Sequence, residues 1–161
     1  MNERLTTMLK WLSYVALFFC AAWFCFLCYQ SYHQAFDTTG SHIHWEAKQN
    51  QVLFVSILFS LYFILTLTVI GICVVFFINT IKGIRNEELF PSKNIRLIFT
   101  AALFIFLQTI ASDNLSQAFI SKGPAVIGLT SNPFVQSLII LIFGILYKMA
   151  HQVAAEHDLT V

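Results

Sequence analysis

The sequence predicts an all-α integral membrane protein, an up-down bundle of four transmembrane helices. The first reason is composition: the 161-residue chain is 58% hydrophobic and 11% charged, whereas soluble domains are about 45–50% apolar and about 25% charged. The second is that apolar runs, nearly free of charge, occur four times, and each can supply the roughly 20 residues that cross a bilayer core. The 17 Phe and three Trp residues also suit lipid-facing and interfacial surface.

The first two predicted spans cover about residues 11–31 and 52–81, and neither contains Asp, Glu, Lys or Arg. The first follows Arg4 and Lys10, as a secretory signal would. Its apolar part is longer than the roughly 7 to 15 residues of a signal core, however, and no small-x-small cleavage site closes it. We therefore predict an uncleaved span. The second run exceeds the length of one crossing, which predicts a tilted or protruding helix.

The third and fourth predicted spans cover about residues 97–117 and 134–149. Asp113 interrupts the third. Pro133 precedes the fourth, and proline fits the first turn of a helix. Together the four spans predict a single transmembrane domain over 1–161, with its remaining parts as follows: outer loops 32–51 and 118–133, a cytoplasmic loop 82–96 and a cytoplasmic tail 150–161.

Basic residues orient the predicted bundle, because short cytoplasmic loops of membrane proteins carry an excess of Lys and Arg. Placing the N-terminus in the cytoplasm puts seven of the nine basic residues inside and leaves Lys48 and Lys122 outside. Four of those seven lie within the loop between the second and third spans: Lys82, Arg85, Lys93 and Arg96. We therefore predict that this loop and both termini are cytoplasmic.

The same loop contains signals for how its flanking helices end and begin. Ser92 is placed to cap the third helix by accepting a hydrogen bond from a free backbone N–H, and Asn94 is a second candidate cap. We expect Glu87 and Glu88 to solvate the turn while Phe90 dips into the membrane interface. The alternative is that the loop is a docking site for a cytoplasmic partner.

The candidate polar intramembrane site lies in the third span. A carboxylate inside a span is costly and usually faces a bundle interior or an ion pathway. At about 1.5 Å per residue, Asp113 lies about 24 Å along the span, near its outer boundary, where Asn114, Gln117 or Lys122 could satisfy it locally. With Gln108, nearer the middle of the same helix, Asp113 could instead form part of an ion or proton path. Inter-helix hydrogen bonding would also explain these residues.

Two motifs resemble sites but lack the residues that a site requires. His42 and His44 could project to one face of an extended segment, but a metal needs three or four converging ligands. Cys25 and Cys28 form a CxxC like that of membrane oxidoreductases that pass electrons from thiols to quinones. Those enzymes need a second cysteine pair in an outer loop, and neither predicted outer loop contains a cysteine. Thiols in apolar surroundings also react poorly. We therefore predict no metal site, no cofactor, and buried structural cysteines.

Other function classes receive no support from the sequence. The net charge of +1 argues against a nucleic-acid partner, since such proteins concentrate a basic excess on one face. The chain contains no P-loop, GxSxG, HExxH or nucleotide-binding fingerprint. We therefore predict that the protein is not an enzyme.

Two stretches resemble a known family. The run INTIKGIRNEELFPSKNIRLI, residues 78–98, has a Lys-Gly turn, then Phe, then a Ser/Asn cap and a basic residue that opens the next span. It resembles the DUF2975 family of small bacterial four-span membrane proteins. The tail AHQVAAEHDLTV is similar to the family's ending of an acidic cluster followed by Asp-Leu-Thr-Val, although His157 thins the cluster here.

The resemblance implies a bacterial inner-membrane location and the same four-span architecture. Family members are often encoded beside a very small helix-turn-helix regulator, which implies a regulatory or sensory setting, but the family has no established activity. We predict a non-enzymatic regulatory, sensory or protective role, exerted in the lipid bilayer by association with another membrane protein or as a homo-oligomer. The alternative is an oligomeric transporter or ion pathway lined by Asp113, Gln108 and Asn79.

Overall fold

The structure is a computed structural model that describes residues 3–36, 52–86, 88–120 and 127–158. Within these ranges the chain is helical and contains no strand. Four helices follow one another: α1 Glu3–Phe36, α2 Val52–Arg85, α3 Ser92–Ile120 and α4 Asn132–Asp158. Each is long and apolar enough to cross a membrane, over Thr6–Tyr29, Leu53–Arg85, Ser92–Gln117 and Asn132–Glu156. The predicted all-α fold of four membrane-spanning helices is confirmed, and the chain is a multi-pass membrane protein.

The helices extend beyond the predicted spans at the basic end of the bundle, the end that carries residues 82–96. α2 continues to Arg85 and α3 begins at Ser92, so the connection between them is shorter than the predicted loop. A helix does not have to end where the charge-free run ends, because Lys82 and Arg85 in its last turn interact favourably with the negative end of the helix dipole. α4 likewise continues through the predicted tail to Asp158.

Consecutive helices pack against each other, and close backbone approaches occur only between α1 and α2, α2 and α3, and α3 and α4 in the part of the chain that the structure describes. Cys20 and Leu27 of α1 share a buried cluster with Ile70 of α2. A second cluster joins α2 to α3, formed by Val55, Leu58, Leu65, Ala111 and Leu115. The outer helices α1 and α4 therefore each have one close backbone neighbour, and their backbones do not approach each other within the described residues.

Gly83 lets the turn after α2 fold back onto the helix. The N–H of Glu88 donates to the carbonyl of Gly83 at 2.9 Å, and the N–H of Asn86 donates to the same carbonyl at 2.9 Å. A Cβ on residue 83 would lie 2.5 Å from the carbonyl oxygen of Glu88 and 2.5 Å from Cγ of Pro91. The first bond has the spacing of the six-residue wrap that ends many helices. Only glycine fits this turn without displacing its backbone.

Polar side chains within the spans are satisfied in part by their own helix. Thr66, which is fully buried, donates its hydroxyl to the carbonyl of Tyr62 at 2.8 Å. Ser13 of α1 donates to the carbonyl of Leu9 at 2.9 Å in the same pattern. Such bonds to the preceding turn remove the cost of an unpaired hydroxyl in a medium without water. These residues are therefore compatible with lipid-spanning helices.

Candidate functional site

Asn94 is the centre of a polar cluster at the basic end, where α2, α3 and α4 meet. Its side chain is fully buried, and its Nδ2 donates to Thr80 Oγ1 at 3.0 Å, to the carbonyl of Phe76 at 3.3 Å and to the hydroxyl of Tyr147 at 3.3 Å. Thr80 also donates to the carbonyl of Phe76 at 2.9 Å. One amide thus connects α2 with α4. We call Phe76, Thr80, Phe90, Asn94 and Tyr147 the Asn94 cluster.

Aromatic rings enclose the Tyr147 end of the Asn94 cluster. The ring of Tyr147 makes edge-to-face contacts with Phe76 at 5.9 Å and with Phe90 at 5.4 Å between centroids, and such pairs add to the free energy of area burial. One turn further along α4, Nδ1 of His151 lies 2.7 Å from the carbonyl oxygen of Phe90. The turn between α2 and α3 is therefore attached to α4 at two points.

The oxygen of the Asn94 amide, Oδ1, is buried without a hydrogen-bond partner. The two hydrogens of Nδ2 face three acceptors, so at least one of these hydrogen bonds is shared. A buried amide oxygen without a partner lowers stability, while the contacts of Nδ2 hold α2 and α4 against α3. Because the acceptors belong to α2 and α4, these bonds fix the positions of both helices relative to α3.

The structure changes the predicted roles of three loop residues. Asn94 does not cap α3, because its side chain is directed into the bundle. The carboxylate of Glu88 provides the cap instead, with Oε1 accepting from the N–H of Ser92 at 3.1 Å. Phe90 packs on Tyr147, whereas the sequence suggested insertion into the lipid interface. For Asn94 and Phe90 the difference arises because Tyr147, a partner far along the chain, competes with the local interaction.

At the opposite end of the bundle, Asn114 attaches the segment before α4 to α3. Its Nδ2 donates to the carbonyl of Gly128 at 2.9 Å and to that of Ile110 at 2.8 Å, and its Oδ1 accepts from the N–H of Gly128 at 2.7 Å. The side-chain amide therefore pairs with both backbone groups of one residue. Because Asn114 is buried, these bonds satisfy an amide that would otherwise be costly.

The remaining residues of the predicted intramembrane site fall into two groups. Asp113 is half-buried, and its Oδ2 accepts a hydrogen bond from the hydroxyl of Thr130. Gln117 is exposed near Gly128, since a Cβ on that glycine would lie 3.4 Å from Gln117 Oε1. Gln108 is half-buried but takes part in none of these hydrogen bonds among the described residues. The structure thus brings Asp113 and Asn114 to the 127–130 segment and leaves Gln108 apart.

Two further hydrogen bonds join the middle of α3 to α4. The hydroxyl of Ser137 donates to the carbonyl of Ala102 at 3.1 Å, and Thr109 Oγ1 lies 3.0 Å from Gln136 Oε1. Nearer the basic end of the same interface, Gly144 permits α3 and α4 to approach closely, since a Cβ there would lie 3.1 Å from Ile98 Cγ2. Polar contacts therefore follow the α3–α4 interface along most of its length, as expected for helices that pair in lipid.

The four basic residues that determine the predicted orientation are all exposed: Lys82, Arg85, Lys93 and Arg96. Lys93 and Arg96 line a groove of about 510 Å³ between α2 and α3. We call it the α2–α3 groove. Val75, Asn79, Ser92 and Leu97 complete its lining.

The structure corrects one prediction for the cysteines. Cys25 and Cys28 are exposed on α1, and only Cys20 is buried. The CxxC spacing places its two residues about 60° apart around a helix with 3.6 residues per turn, on one face that α2 does not cover. No group of three or more metal-ligating side chains occurs among the residues described. His42 and His44 lie outside the described residues.

Comparisons with protein-family models, with curated proteins and with solved structures found no match for this chain. The resemblance to the DUF2975 family therefore stays a prediction.

Sequence reasoning missed the Asn94 cluster and the role of Gly83. A signal for the first was present, since Asn94 and Tyr147 each stand at the basic end of an apolar run. Antiparallel packing of neighbouring helices would place them at the same depth. For Gly83 the signal is weaker: the sequence shows a Lys-Gly pair before a short connection, and a glycine at such a position is typical of a turn.

Proposed function

We propose that the protein is a non-enzymatic membrane protein of the bacterial inner membrane, with both termini cytoplasmic. In this proposal it has a regulatory, sensory or protective role and acts by association with another membrane protein or with copies of itself. The resemblance of residues 78–98 and of the tail to the DUF2975 family supports the same setting. The seven basic residues on the proposed cytoplasmic side support the orientation.

The observation that carries the proposal is the open packing of the outer helices. In the described part of the chain, the backbone of α1 closely approaches only α2, and that of α4 closely approaches only α3. The contact of α4 with α2 is through the ring of Tyr147 at the basic end. Large side chains on both outer helices are exposed, among them Trp11, Phe18 and Phe19 of α1 and Leu138 and Ile139 of α4. Lipid covers such faces adequately, but they are also the surfaces on which a further helix can pack through van der Waals contact.

A second observation supports the loop and the tail as one cytoplasmic surface. His151, at the start of the predicted tail, contacts the carbonyl of Phe90 in the loop. A partner that binds one of these segments would therefore touch the other.

Photo-crosslinking in membranes tests the association. A photoreactive amino acid at Phe18, which is 70% exposed, should give a discrete protein adduct that mass spectrometry identifies as a second copy or as another membrane protein. The same probe at Leu27, which is 2% exposed, is the matched control on the same helix and should crosslink only to α2. Adducts with lipid alone at Phe18 and at Leu138 would contradict the proposal.

The contribution of the tail can be separated from that of the helices. Deleting residues 152–161 keeps His151 and its contact with Phe90. If the tail carries the association, the deletion should remove the Phe18 adduct without lowering the amount of protein in the membrane. An unchanged adduct would assign the association to the spans.

A further inference from the structure

The α2–α3 groove lies at the basic end of the bundle and has a graded lining. Its apolar part is formed by Val75 and Leu97, and its polar part by Asn79 and Ser92. On α2, Asn79 is one helical turn nearer the basic end than Val75. On α3, Ser92 is the first helical residue and Leu97 lies deeper. Polarity therefore increases along the groove toward the basic end.

Two cations stand at the polar end of the α2–α3 groove. Lys93 and Arg96 are three residues apart on α3, so they are neighbours on one face of the helix. Both are exposed, and neither makes an ion pair within the part of the chain that the structure describes. No acidic residue is among those that line the groove. The lining therefore carries two positive charges, and the nearby carboxylate of Glu88 is held on the N–H of Ser92.

Two of the backbone N–H groups at the start of α3 already have acceptors. The N–H of Ser92 already donates to Glu88 Oε1, and the N–H of Asn94 donates to the carbonyl of Pro91 at 2.9 Å. A ligand in the α2–α3 groove would consequently bind to the side chains of Lys93 and Arg96.

We propose that the α2–α3 groove binds one anionic phospholipid, with its phosphate between Lys93 and Arg96 and the start of an acyl chain along Val75 and Leu97. A guanidinium can bind two phosphate oxygens at once, and an ammonium adds a second positive charge. The amide of Asn79 and the hydroxyl of Ser92 suit the ester and glycerol oxygens between phosphate and chain. The order of groups in the groove matches the order of groups in a phospholipid.

The apolar part of the groove favours a lipid over a soluble phosphate. Val75 is 46% exposed, and α2 crosses the membrane around it, so this part of the groove opens toward lipid tails. A free phosphate would leave Val75 and Leu97 uncovered, whereas an acyl chain covers both. Basic residues next to a span also attract anionic lipid. This inference does not depend on the proposed association with a partner.

Native mass spectrometry of the full-length protein in an uncharged detergent tests the proposal. Titration with phosphatidylglycerol should give one tightly bound lipid, and phosphatidylcholine should bind far more weakly. The double variant Lys93→Gln/Arg96→Gln should lose about 30-fold in affinity for phosphatidylglycerol, because both charge-assisted contacts with the phosphate are lost. The matched control is Lys82→Gln/Arg85→Gln, which removes the same charge from the same loop but outside the groove, and its affinity should change less than threefold.

A second variant tests the apolar part without changing charge. Val75→Trp should block the acyl chain and reduce retention of phosphatidylglycerol, while circular dichroism and melting stay like those of the parent because residue 75 lies on an exposed face. Equal losses of phosphatidylglycerol affinity in the two double variants would show that the lipid is attracted by the overall positive charge of the loop, and this would overturn the proposed site. Displacement of the lipid by millimolar inorganic phosphate, or unchanged binding in Lys93→Gln/Arg96→Gln, would overturn it as well.

Discussion

Asn94 and Tyr147 are 53 residues apart in the chain, yet Nδ2 of the first lies 3.3 Å from the hydroxyl of the second. The contact closes a polar connection from Thr80 on α2 through Asn94 on α3 to α4. Hydrogen bonds between spans define which helices pair, because lipid tails offer no competing polar group. The Asn94 cluster therefore specifies the order of the last three helices at the basic end.

We expect Asn94→Ala to lower the free energy of unfolding by about 2–3 kcal/mol, since it removes the shared amide and leaves a cavity. Tyr147→Phe removes only the hydroxyl and should cost about 0.5–1 kcal/mol. Because the two groups contact each other, the double variant should cost less than the two single variants together. Reversible unfolding in mixed micelles, followed by circular dichroism, measures this cycle. Additive losses would show that the Asn94–Tyr147 bond contributes nothing of its own.

Gly83→Ala should destabilise the α2–α3 connection by about 1–3 kcal/mol, because the added methyl group would overlap the carbonyl of Glu88 and the ring of Pro91. Gly71→Ala is the matched control on the same helix. A Cβ at residue 71 meets nothing within 4 Å, so this change should be neutral or stabilise α2 by up to about 1 kcal/mol. Thermal melting of both variants in detergent distinguishes them. Similar melting temperatures would mean that the turn accommodates a side chain at residue 83.

The four helices could be predicted from the sequence because their signal is additive over about 20 residues, and a run such as 52–81 without charge has few alternatives. The role of Asn94 could not, because an Asn near a helix start suits both a cap and an inter-helix amide. Local sequence favours the cap, and only the position of Tyr147 in space decides against it. The same is true of Asn114 in the predicted intramembrane site. Its partner is the backbone of Gly128, which only the fold brings close to it.

Asp113→Asn should change stability by less than about 0.5 kcal/mol, because the amide oxygen can still accept from Thr130. Asp113→Ala removes the acceptor and should cost about 1 kcal/mol, and Thr130→Val should cost the same without adding to it. This pattern is expected if Asp113 positions the 127–130 segment. Proton or sodium flux in proteoliposomes provides the test of the alternative pathway. Flux above that of empty vesicles that is lost in Asp113→Asn would contradict the positioning role.

Asn114→Ala should release the segment before α4, since three hydrogen bonds to Ile110 and Gly128 are lost together. Limited proteolysis should then cut within 127–131 at least several times faster than in the parent. Ser112→Ala on the same helix is the control and should leave the cleavage rate unchanged. If Asn114→Ala is cut no faster than this control, the amide does not hold the segment.

The orientation of the bundle can be measured by labelling single cysteines from outside the cell with a reagent that cannot cross the membrane. In a variant with all four native cysteines replaced by Ala, we expect Gly40→Cys to react in intact cells and Asn86→Cys to be protected. Asn86 is exposed beside the basic residues, so a permeant reagent should label Asn86→Cys in the same cells and provides the control. The physical reason is that moving Lys82, Arg85, Lys93 and Arg96 outward would oppose the charge preference of membrane insertion. Labelling of Asn86→Cys from outside, with Gly40→Cys protected, would reverse the orientation and place the α2–α3 groove on the other leaflet.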